Sequence, residues 1–315
     1  MRYLIVGGTS IFGEKLIDSL LSKSETELIV STRLSEEAEF SRNNLVWEVL
    51  DLRNTEKTFN VVREAKADIV YDLATQDSVG FSWKHPSETV DVNVEGTINL
   101  MNAIREYSPG SRVIIGGSGE EYGQVDYDLI PIKESTRVYP NNIYGATKAC
   151  QTMFAKLYHQ AYGLDTVILR TFYETSEVQD DKFAISSFCK QFAEIEAGKQ
   201  KPVIYTGNIN NIRDFTDVDD LVGAFVLVAE KGKSGEVYNA ARGEAHSLLD
   251  VINILKNLTG MEVTIRADAK RFRPMDSATL VADVKKIEDD CGWKAEIPFE
   301  VTIERMLNSW RRRIQ

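Results

Sequence analysis

Tyr3-Leu-Ile-Val-Gly-Gly-Thr-Ser-Ile-Phe-Gly13 is the stretch that decides how this chain folds. Tyr3–Val6 is continuously apolar and reads as a buried strand, glycines follow at once, and Phe12–Leu21 then carries helical periodicity. A strand that passes through a tight turn into a helix is the opening unit of a parallel sheet. The helix N-terminus at that turn can receive a pyrophosphate through its N–H groups and its dipole. The pattern expected there is Gly-x-x-Gly-x-x-Gly, and Ser10 occupies the place of the middle glycine. Gly7, Ser10, Ile11, Phe12 and Gly13 are thus the residues expected around a dinucleotide, with Ser10 shifting it slightly or adding a hydroxyl contact. A purely structural turn is the competing reading.

Further apolar runs alternate with helical patterns. Glu27–Val30, Val46–Leu50, Ile69–Leu73, Val113–Ile115 and Thr166–Leu169 read as strands, and Thr89–Tyr107 and Ile143–Tyr162 as helices. Repeated β-α units predict an α/β fold, a doubly wound, Rossmann-like parallel sheet whose ligands bind beyond the strands' carboxyl ends. After Phe172 the rhythm changes to helix Phe183–Ala197, a strand near Val203–Tyr205, and helices Asp219–Ala229, Asp283–Cys291 and Phe299–Arg311. The division expected is a dinucleotide-binding domain over 1–172, its sheet completed by 206–244, and a smaller α/β substrate lobe from 173–205 and 245–315.

With 315 residues, 43% hydrophobic and 27% charged, the composition is that of an ordinary globular protein. A net charge of −11 argues against general nucleic-acid or membrane-surface binding, so an anionic ligand has to be held by a few local Arg or Lys and by helix N-termini. No apolar run reaches membrane-spanning length, and Met1–Val6 is too short for a signal-peptide core. Cys150, Cys189 and Cys291 form neither a disulfide framework nor a metal-ligand spacing, and His85, His159 and His246 share none either, so a metal-free protein of the reducing cytoplasm is expected.

Chemistry is signalled by Tyr144-Gly-Ala-Thr-Lys148, which puts a phenol and an ammonium one helical turn apart. The ammonium is expected to favour the phenolate and draw the tyrosine down from about 10. Such a group can take or give a proton in alcohol–ketone chemistry. The strand Val113–Ile115 leads into Gly116-Gly-Ser-Gly-Glu-Glu-Tyr-Gly123, where Ser118 could bond the same substrate oxygen and Glu120 could act as a base at a neighbouring carbon or be a charged loop residue. Arg33, just beyond the second strand, stands where an arginine pairs with the 2′-phosphate of NADP, so NADP(H) is favoured over NAD(H). Asp51-Leu52, after the third strand, could meet the adenine amino group, or Asp51 could be a surface-turn residue.

Taken in order, these elements resemble the extended short-chain dehydrogenase/reductase family, in its nucleotide-sugar epimerase/dehydratase/reductase branch. The likeness runs through the glycine loop, Leu73-Ala-Thr-Gln76 with Ser78-Val79, Asp91-Val-Asn-Val-Glu-Gly-Thr97, the Ser118 and Tyr144 segments, Leu169-Arg-Thr-Phe172, Arg213-Asp-Phe-Thr-Asp-Val218, Tyr238-Asn239, Arg273-Pro-Met-Asp276 and Gly292-Trp293. Within the branch it is most similar to GDP-6-deoxy-4-keto-hexose reductases and GDP-mannose 4,6-dehydratases. The resemblance implies that Ser118, Tyr144 and Lys148 form the catalytic group, with Lys148 also bonding the nicotinamide ribose. It places Leu73, Ala74 and Thr75 beneath the cofactor and Ser78 against the sugar, with Asn93 ordering the site, Arg213 and Arg273 on the diphosphate and Asp276 on the nucleotide. It also implies a homodimer paired through the helices around Thr89–Tyr107 and Ile143–Tyr162.

The chain departs from that family at several points. Thr75 replaces an alanine, Tyr173-Glu174 replaces the Asn-His that follows Phe172, Asn142-Ile143 replaces Ser-Pro, and Gly119 stands where dehydratases carry Asp or Ser before the glutamate. Removing a C5 proton and expelling the C6 hydroxyl needs a nearby donor, so Gly119 weakens the dehydratase assignment. The expected function is an NADP(H)-dependent reductase of a GDP-linked 4-keto-6-deoxyhexose. A 4,6-dehydratase or 4-epimerase that recycles its cofactor is the alternative, and a catalytically silent NADP-binding sensor is the rival of another class.

Overall fold

Alternating apolar residues in the strands and amphipathic helices between them produce the expected layered architecture in the computed structural model, which describes residues 1–23, 27–32, 45–272, 275 and 277–314. The first strands and helices are β1 (Arg2–Val6), α1 (Ile11–Leu21), β2 (Glu27–Thr32), β3 (Leu45–Val49), α2 (Thr55–Ala65) and β4 (Ile69–Asp72). Two short helices, α3 (Val79–Lys84) and α4 (Pro86–Val90), and a π-helical stretch over Asp91–Glu95 lead into α5 (Gly96–Tyr107). Then come β5 (Arg112–Ser118), α6 (Ile143–Tyr162), β6 (Asp165–Thr171) and β7 (Tyr173–Thr175). The later chain forms α7 (Ala184–Glu196), β8 (Val203–Thr206), β9 (Ile212–Arg213), β10 (Phe215–Asp217), α8 (Val218–Lys231), β11 (Val237–Ala240), β12 (His246–Ser247) and α9 (Leu248–Thr259). It ends with β13 (Thr264–Ala267), β14 (Thr279–Leu280), α10 (Lys285–Cys291) and α11 (Phe299–Ile314).

Seven parallel strands form the main sheet in the order β11-β6-β5-β4-β1-β2-β3. Because strand side chains alternate, each face has its own core. Tyr3, Ile5, Tyr71, Ile114, Leu169 and Tyr238 point to the side covered by α1, α8 and α10. Leu4, Val6, Val70, Val113, Ile115 and Ile168 point to the side covered by α2, α5 and α6. A third apolar cluster, built from α7, α9 and α11 around Phe192, Leu255 and Ile303, is separate from the two that flank the sheet. The pairs β8–β13 and β7–β10 and the triplet β12–β9–β14 form small sheets separate from the main one.

The order of the sheet reverses at β1, which lies between β4 and β2, and this is where an open α/β sheet leaves a crevice at its carboxyl end. Gly7 sits at φ 86°, and a Cβ there would lie 2.7 Å from the Ala74 amide nitrogen, so only glycine lets the loops after β1 and β4 touch. Among the described residues, no helix is long and apolar enough to cross a membrane.

Candidate active site

The long helix α6 begins where Asn142 caps it, its Oδ1 accepting from the Gly145 amide at 2.8 Å. A Cβ on Gly145 would stand 2.4 Å from the Glu120 carbonyl oxygen, so the missing side chain lets this helix start directly on the turn after β5. That turn, Gly119–Tyr122, is itself capped by Ser118, whose Oγ accepts from the Glu120 amide at 3.2 Å. The Ser118 amide in turn donates to Glu121 Oε1 at 2.9 Å. Two caps, one on each element, thus bring Ser118 within hydrogen-bonding reach of the Tyr144 phenol.

Glu121 lies beneath this pair and is fully buried against Arg170, with Oε2 2.8 Å from the guanidinium Nε. Arg170 also donates to the Tyr122 hydroxyl at 2.9 Å, and that hydroxyl donates to Asn239 Oδ1 at 2.7 Å. Every partner in this buried network comes from the sheet or the turn that carries Ser118, so it fixes the serine from below.

Glu120 faces the other way. Its Oε1 accepts from the Tyr173 hydroxyl at 2.5 Å and its Oε2 from Asn142 Nδ2 at 2.7 Å. Two of the positions where the chain departs from its family therefore hold the same carboxyl. Gly119 also has a packing cause, because a Cβ there would meet the Phe172 ring at 2.9 Å.

Lys148 Nζ is buried and donates to Gln151 Oε1 at 2.8 Å, Gln151 Nε2 donates to Thr97 Oγ1 at 2.6 Å, and Thr97 donates to Asp72 Oδ2 at 3.0 Å. Burial lowers the Lys148 ammonium, partly offset by Asp72, Glu121, Asp77 and Glu174. Asp72 is pushed up to about 6 by burial, with Lys148 and Thr97 acting in the opposite direction.

The expectation that Tyr144 would be drawn below its ordinary range is corrected by the structure. Its proton is held well above that range, first by burial and then by the carboxylates of Glu174, Asp77 and Glu120, with the Ser118 hydrogen bond pulling only partly back. Lys148 donates to Gln151, and the three carboxyl groups that act on the phenol come from separate segments of the chain.

At the glycine loop, Ser10 acts as the helix cap, its Oγ accepting from the Gly13 amide at 3.0 Å. The hydroxyl proton remains available to a ligand, and the amides of Ile11 and Phe12 have no partner among the described residues. Open donors at the switch point fit the phosphates of a dinucleotide. Leu73 and Ala74 adjoin Gly7, and Thr75 donates to Asn93 Oδ1 at 3.1 Å. Asn93, in the π-helical stretch, also receives the Gln76 amide at 2.7 Å and donates to Thr147 Oγ1 at 2.9 Å, tying the loop after β4 to α6. Asp51 is gripped by Arg53 through a 2.5 Å contact, and Leu52 is buried with its Cβ at Gly96. Arg33, Arg273 and Asp276 lie outside the described residues.

A groove of about 700 Å³ runs past β7, β9 and α3. Ser78, Trp83, Tyr173, Glu174, Arg213, Lys270 and Arg271 line it, together with apolar Phe188 and Leu248. Ser78 caps α3, accepting from the Phe81 amide at 3.2 Å. The Arg213 guanidinium lies 5.0 Å from the Tyr173 ring centroid. Glu174 is pushed up to about 7 by burial first, against a hydrogen bond from its own backbone amide, with Asp77 adding to the rise and Lys148 and Lys182 opposing it. The sequence singled out Ser78 and Arg213 for this groove; Gln151, Lys270 and Arg271 carried no local signal of their own.

Residues 4–306 match the sequence pattern of the GDP-mannose 4,6 dehydratase family. The GDP-6-deoxy-D-mannose reductase of Pseudomonas aeruginosa is 28% identical over 248 residues, 79% of this chain and 82% of the relative. A putative UDP-glucose 4-epimerase of Methanocaldococcus jannaschii is 28% identical over 314 residues, 97% of both chains. Among solved structures, RMD from Pseudomonas aeruginosa complexed with NADPH superposes with a TM-score of 0.86 at 25% identity, over 99% of this chain and 100% of the other. The glycine loop, the Ser118–Tyr144 pair and these matches agree: the chain belongs to the GDP-mannose 4,6-dehydratase family, within the nucleotide-sugar reductases, dehydratases and epimerases of the extended short-chain dehydrogenase/reductase superfamily.

Proposed function

We propose that the chain is an NADP(H)-dependent reductase that acts on the C4 ketone of a GDP-linked 4-keto-6-deoxyhexose. When bound, the reduced nicotinamide supplies hydride to the carbonyl carbon. Tyr144 gives its proton to the carbonyl oxygen as negative charge develops there, and the Ser118 hydroxyl bonds the same oxygen. A phenol whose proton is held tightly rests in the loaded state that reduction requires. Lys148 holds the nicotinamide ribose, Gly7, Ser10, Ile11, Phe12 and Gly13 the pyrophosphate, and Arg33 the 2′-phosphate. Ser78 faces the sugar, and Arg213 and Arg273 hold the sugar nucleotide's diphosphate, with Asp276 on the nucleotide. On this reading 1–172 and 206–244 carry the cofactor, and 173–205 and 245–315 the substrate.

The observation that carries the choice of reductase is the engagement of Glu120. Both of its oxygens already accept hydrogen bonds, from Tyr173 and Asn142, so taking a C5 proton requires breaking one. Gly119 adds no donor for a departing C6 hydroxyl, and the Pseudomonas reductase gives the same direction by similarity.

The test is cofactor accounting over GDP-, UDP-, CDP- and dTDP-sugars with NADPH and NADP⁺, following absorbance and product mass. The expected result is one NADPH consumed per GDP-4-keto-6-deoxyhexose, with Tyr144→Phe nearly inactive yet still binding cofactor. Turnover of GDP-mannose without net loss of NADPH would replace this reading with a dehydratase.

A homodimer belongs to the same proposal. The outer face of α6 leaves Met153 and Leu157 60% and 52% exposed at i and i+4, with Tyr162 further along the helix and Tyr107 at the end of α5 also exposed. Such a stripe on two neighbouring helices is suited to pairing with its own copy.

A further inference from the structure

Lys148 stands at one end of a run of hydrogen bonds whose far end is a carboxyl group. Its Nζ donates to Gln151 Oε1 at 2.8 Å, Gln151 Nε2 donates to Thr97 Oγ1 at 2.6 Å, and the Thr97 hydroxyl donates to Asp72 Oδ2 at 3.0 Å. None of the four side chains is more than 3% exposed. The direction of each bond follows from what each group can do. An ammonium only donates, so Gln151 turns its oxygen to Lys148 and its NH₂ to Thr97, and the single hydroxyl proton of Thr97 is left for an acceptor. An asparagine at 72 could accept that proton as well. The protein has an aspartate there, where burying a charge is costly.

Three elements meet in this run: Asp72 ends β4, Thr97 lies on α5, and Gln151 and Lys148 are one turn apart on α6. Asp72 pairs in register with Val6, the last residue of β1, so it lies at the carboxyl end of the sheet beside the glycine loop. Other carboxyls act on Lys148 from the turn after β5 (Glu121), from the loop after β4 (Asp77) and from β7 (Glu174). Each is engaged or weakened. Glu121 is paired with Arg170 at 2.8 Å, Asp77 lies 3.7 Å from Lys182, and Glu174 is pushed up to about 7 by burial. Asp72, pushed up to about 6 by burial, still carries its charge at neutral pH. Burial lowers the Lys148 ammonium, and Asp72 is the first of the groups that oppose this.

We propose, on the reading that Lys148 works beside Tyr144, that Asp72 is a positioning residue whose carboxylate, through Thr97 and Gln151, keeps Lys148 an ammonium and fixes one of its N–H bonds. Two N–H bonds then remain for the nicotinamide ribose that this reading gives to Lys148.

The test follows the Lys148 titration by carbon NMR in the full chain with isotopically labelled lysine, its signal assigned by loss in Lys148→Met. Asp72→Asn keeps the shape and removes the charge, and should lower the Lys148 midpoint by at least about 1 pH unit. Adding Gln151→Glu to Asp72→Asn returns a carboxylate to the run and should bring the midpoint back to within about 0.5 unit of wild type. Thr97→Val keeps the volume and both charges, cuts only the run, and should lower the midpoint in the same direction; it carries the test if Asp72→Asn does not fold. An unchanged midpoint in Asp72→Asn or in Thr97→Val would overturn the proposal, and so would a double variant as low as Asp72→Asn alone. With a sugar that wild type reduces, the alkaline limb of kcat/KM should move down together with the midpoint. A wild-type protein that reduces no sugar of the panel, while Asp72→Asn still lowers the midpoint, would overturn the reductase reading and leave the counter-charge in place.

Discussion

The Tyr173 hydroxyl donates to Glu120 Oε1 at 2.5 Å, closing one side of a carboxyl whose other oxygen is held by Asn142. A short hydrogen bond to a charged acceptor is among the stronger ones, roughly 1.5–3 kcal/mol. Tyr173→Phe removes it without opening a large cavity. The variant should lose about 3- to 10-fold in kcat/KM for reduction, the equivalent of roughly 1 kcal/mol. It should also gain deuterium at C5 of the product in D₂O, as Glu120 becomes free to act on the carbon beside the ketone. Mass spectrometry of the product checks this, and C5 deuteration equal to wild type would show that Tyr173 does not restrain Glu120.

Gly119 is set by packing as well as by chemistry. A serine there would put its Cβ against the Phe172 ring, which is buried in the cluster with Tyr122 and Leu280. Overpacking of this kind costs about 1–3 kcal/mol. Gly119→Ser should lower the urea midpoint accordingly, and Phe172→Leu in the same chain should restore part of the loss. Equal midpoints for wild type and Gly119→Ser would mean that the ring yields freely.

Three carboxyls with raised proton affinity bias stability against alkaline conditions. Asp72 is pushed up to about 6, and Asp214 and Glu174 to about 7, in each case first by burial. Each binds its proton more tightly in the folded than in the unfolded chain. The stability each contributes is complete below about pH 4 and is lost as pH rises through 6 to 7. The unfolding free energy should therefore fall between pH 5 and 8, the same direction as self-repulsion from a net charge of −11. Urea titrations at both pH values measure it, and Glu174→Gln should show a shallower fall. A midpoint that rises toward pH 8 would contradict the burial assigned to these groups.

Local signals account for what could be read from the chain alone. Helix α6 was legible from end to end because Asn142 and Gly163 mark its termini and its periodicity is continuous. By contrast α2 and α9 went unread, although Asn54 caps one and a Ser247–Asp250 capping box starts the other, because both follow polar loops. The expected single helix over 89–107 is broken into α4, a π-helical stretch and α5, and the break places Asn93 where it ties the loop after β4 to α6. The direction of the Tyr144 shift was out of reach, since Asp77, Glu120 and Glu174 meet there only through tertiary packing. The grip on Glu120 by Asn142 and Tyr173 likewise joins three segments that no spacing relates.

The exposed stripe on α6 yields a solution prediction. Replacing Met153 and Leu157 together by Lys puts two like charges on each copy's face without touching the sheet-facing residues Ala149, Thr152 and Ala155. Sedimentation should show wild type as a dimer and the double variant as a monomer with an unchanged thermal midpoint. A wild-type monomer at micromolar concentration would end the homodimer proposal.

Glu121 and Arg170 provide the most stringent test of how the site is held. Their ion pair is 0% and 3% exposed, and Glu121 alone receives the Ser118 amide. Glu121→Ala leaves a guanidinium buried without its counter-charge, a loss of about 3–5 kcal/mol. Joint replacement by apolar residues, Glu121→Leu with Arg170→Met, removes both charges and should recover most of that stability. Activity should not recover with it. The Ser118 amide would still lack its acceptor, the turn that aims the hydroxyl at Tyr144 would loosen, and kcat should stay at least about 10-fold low, equivalent to roughly 1.4 kcal/mol of lost transition-state stabilisation. A double variant that regains both stability and wild-type kcat would show that the buried pair serves the fold alone.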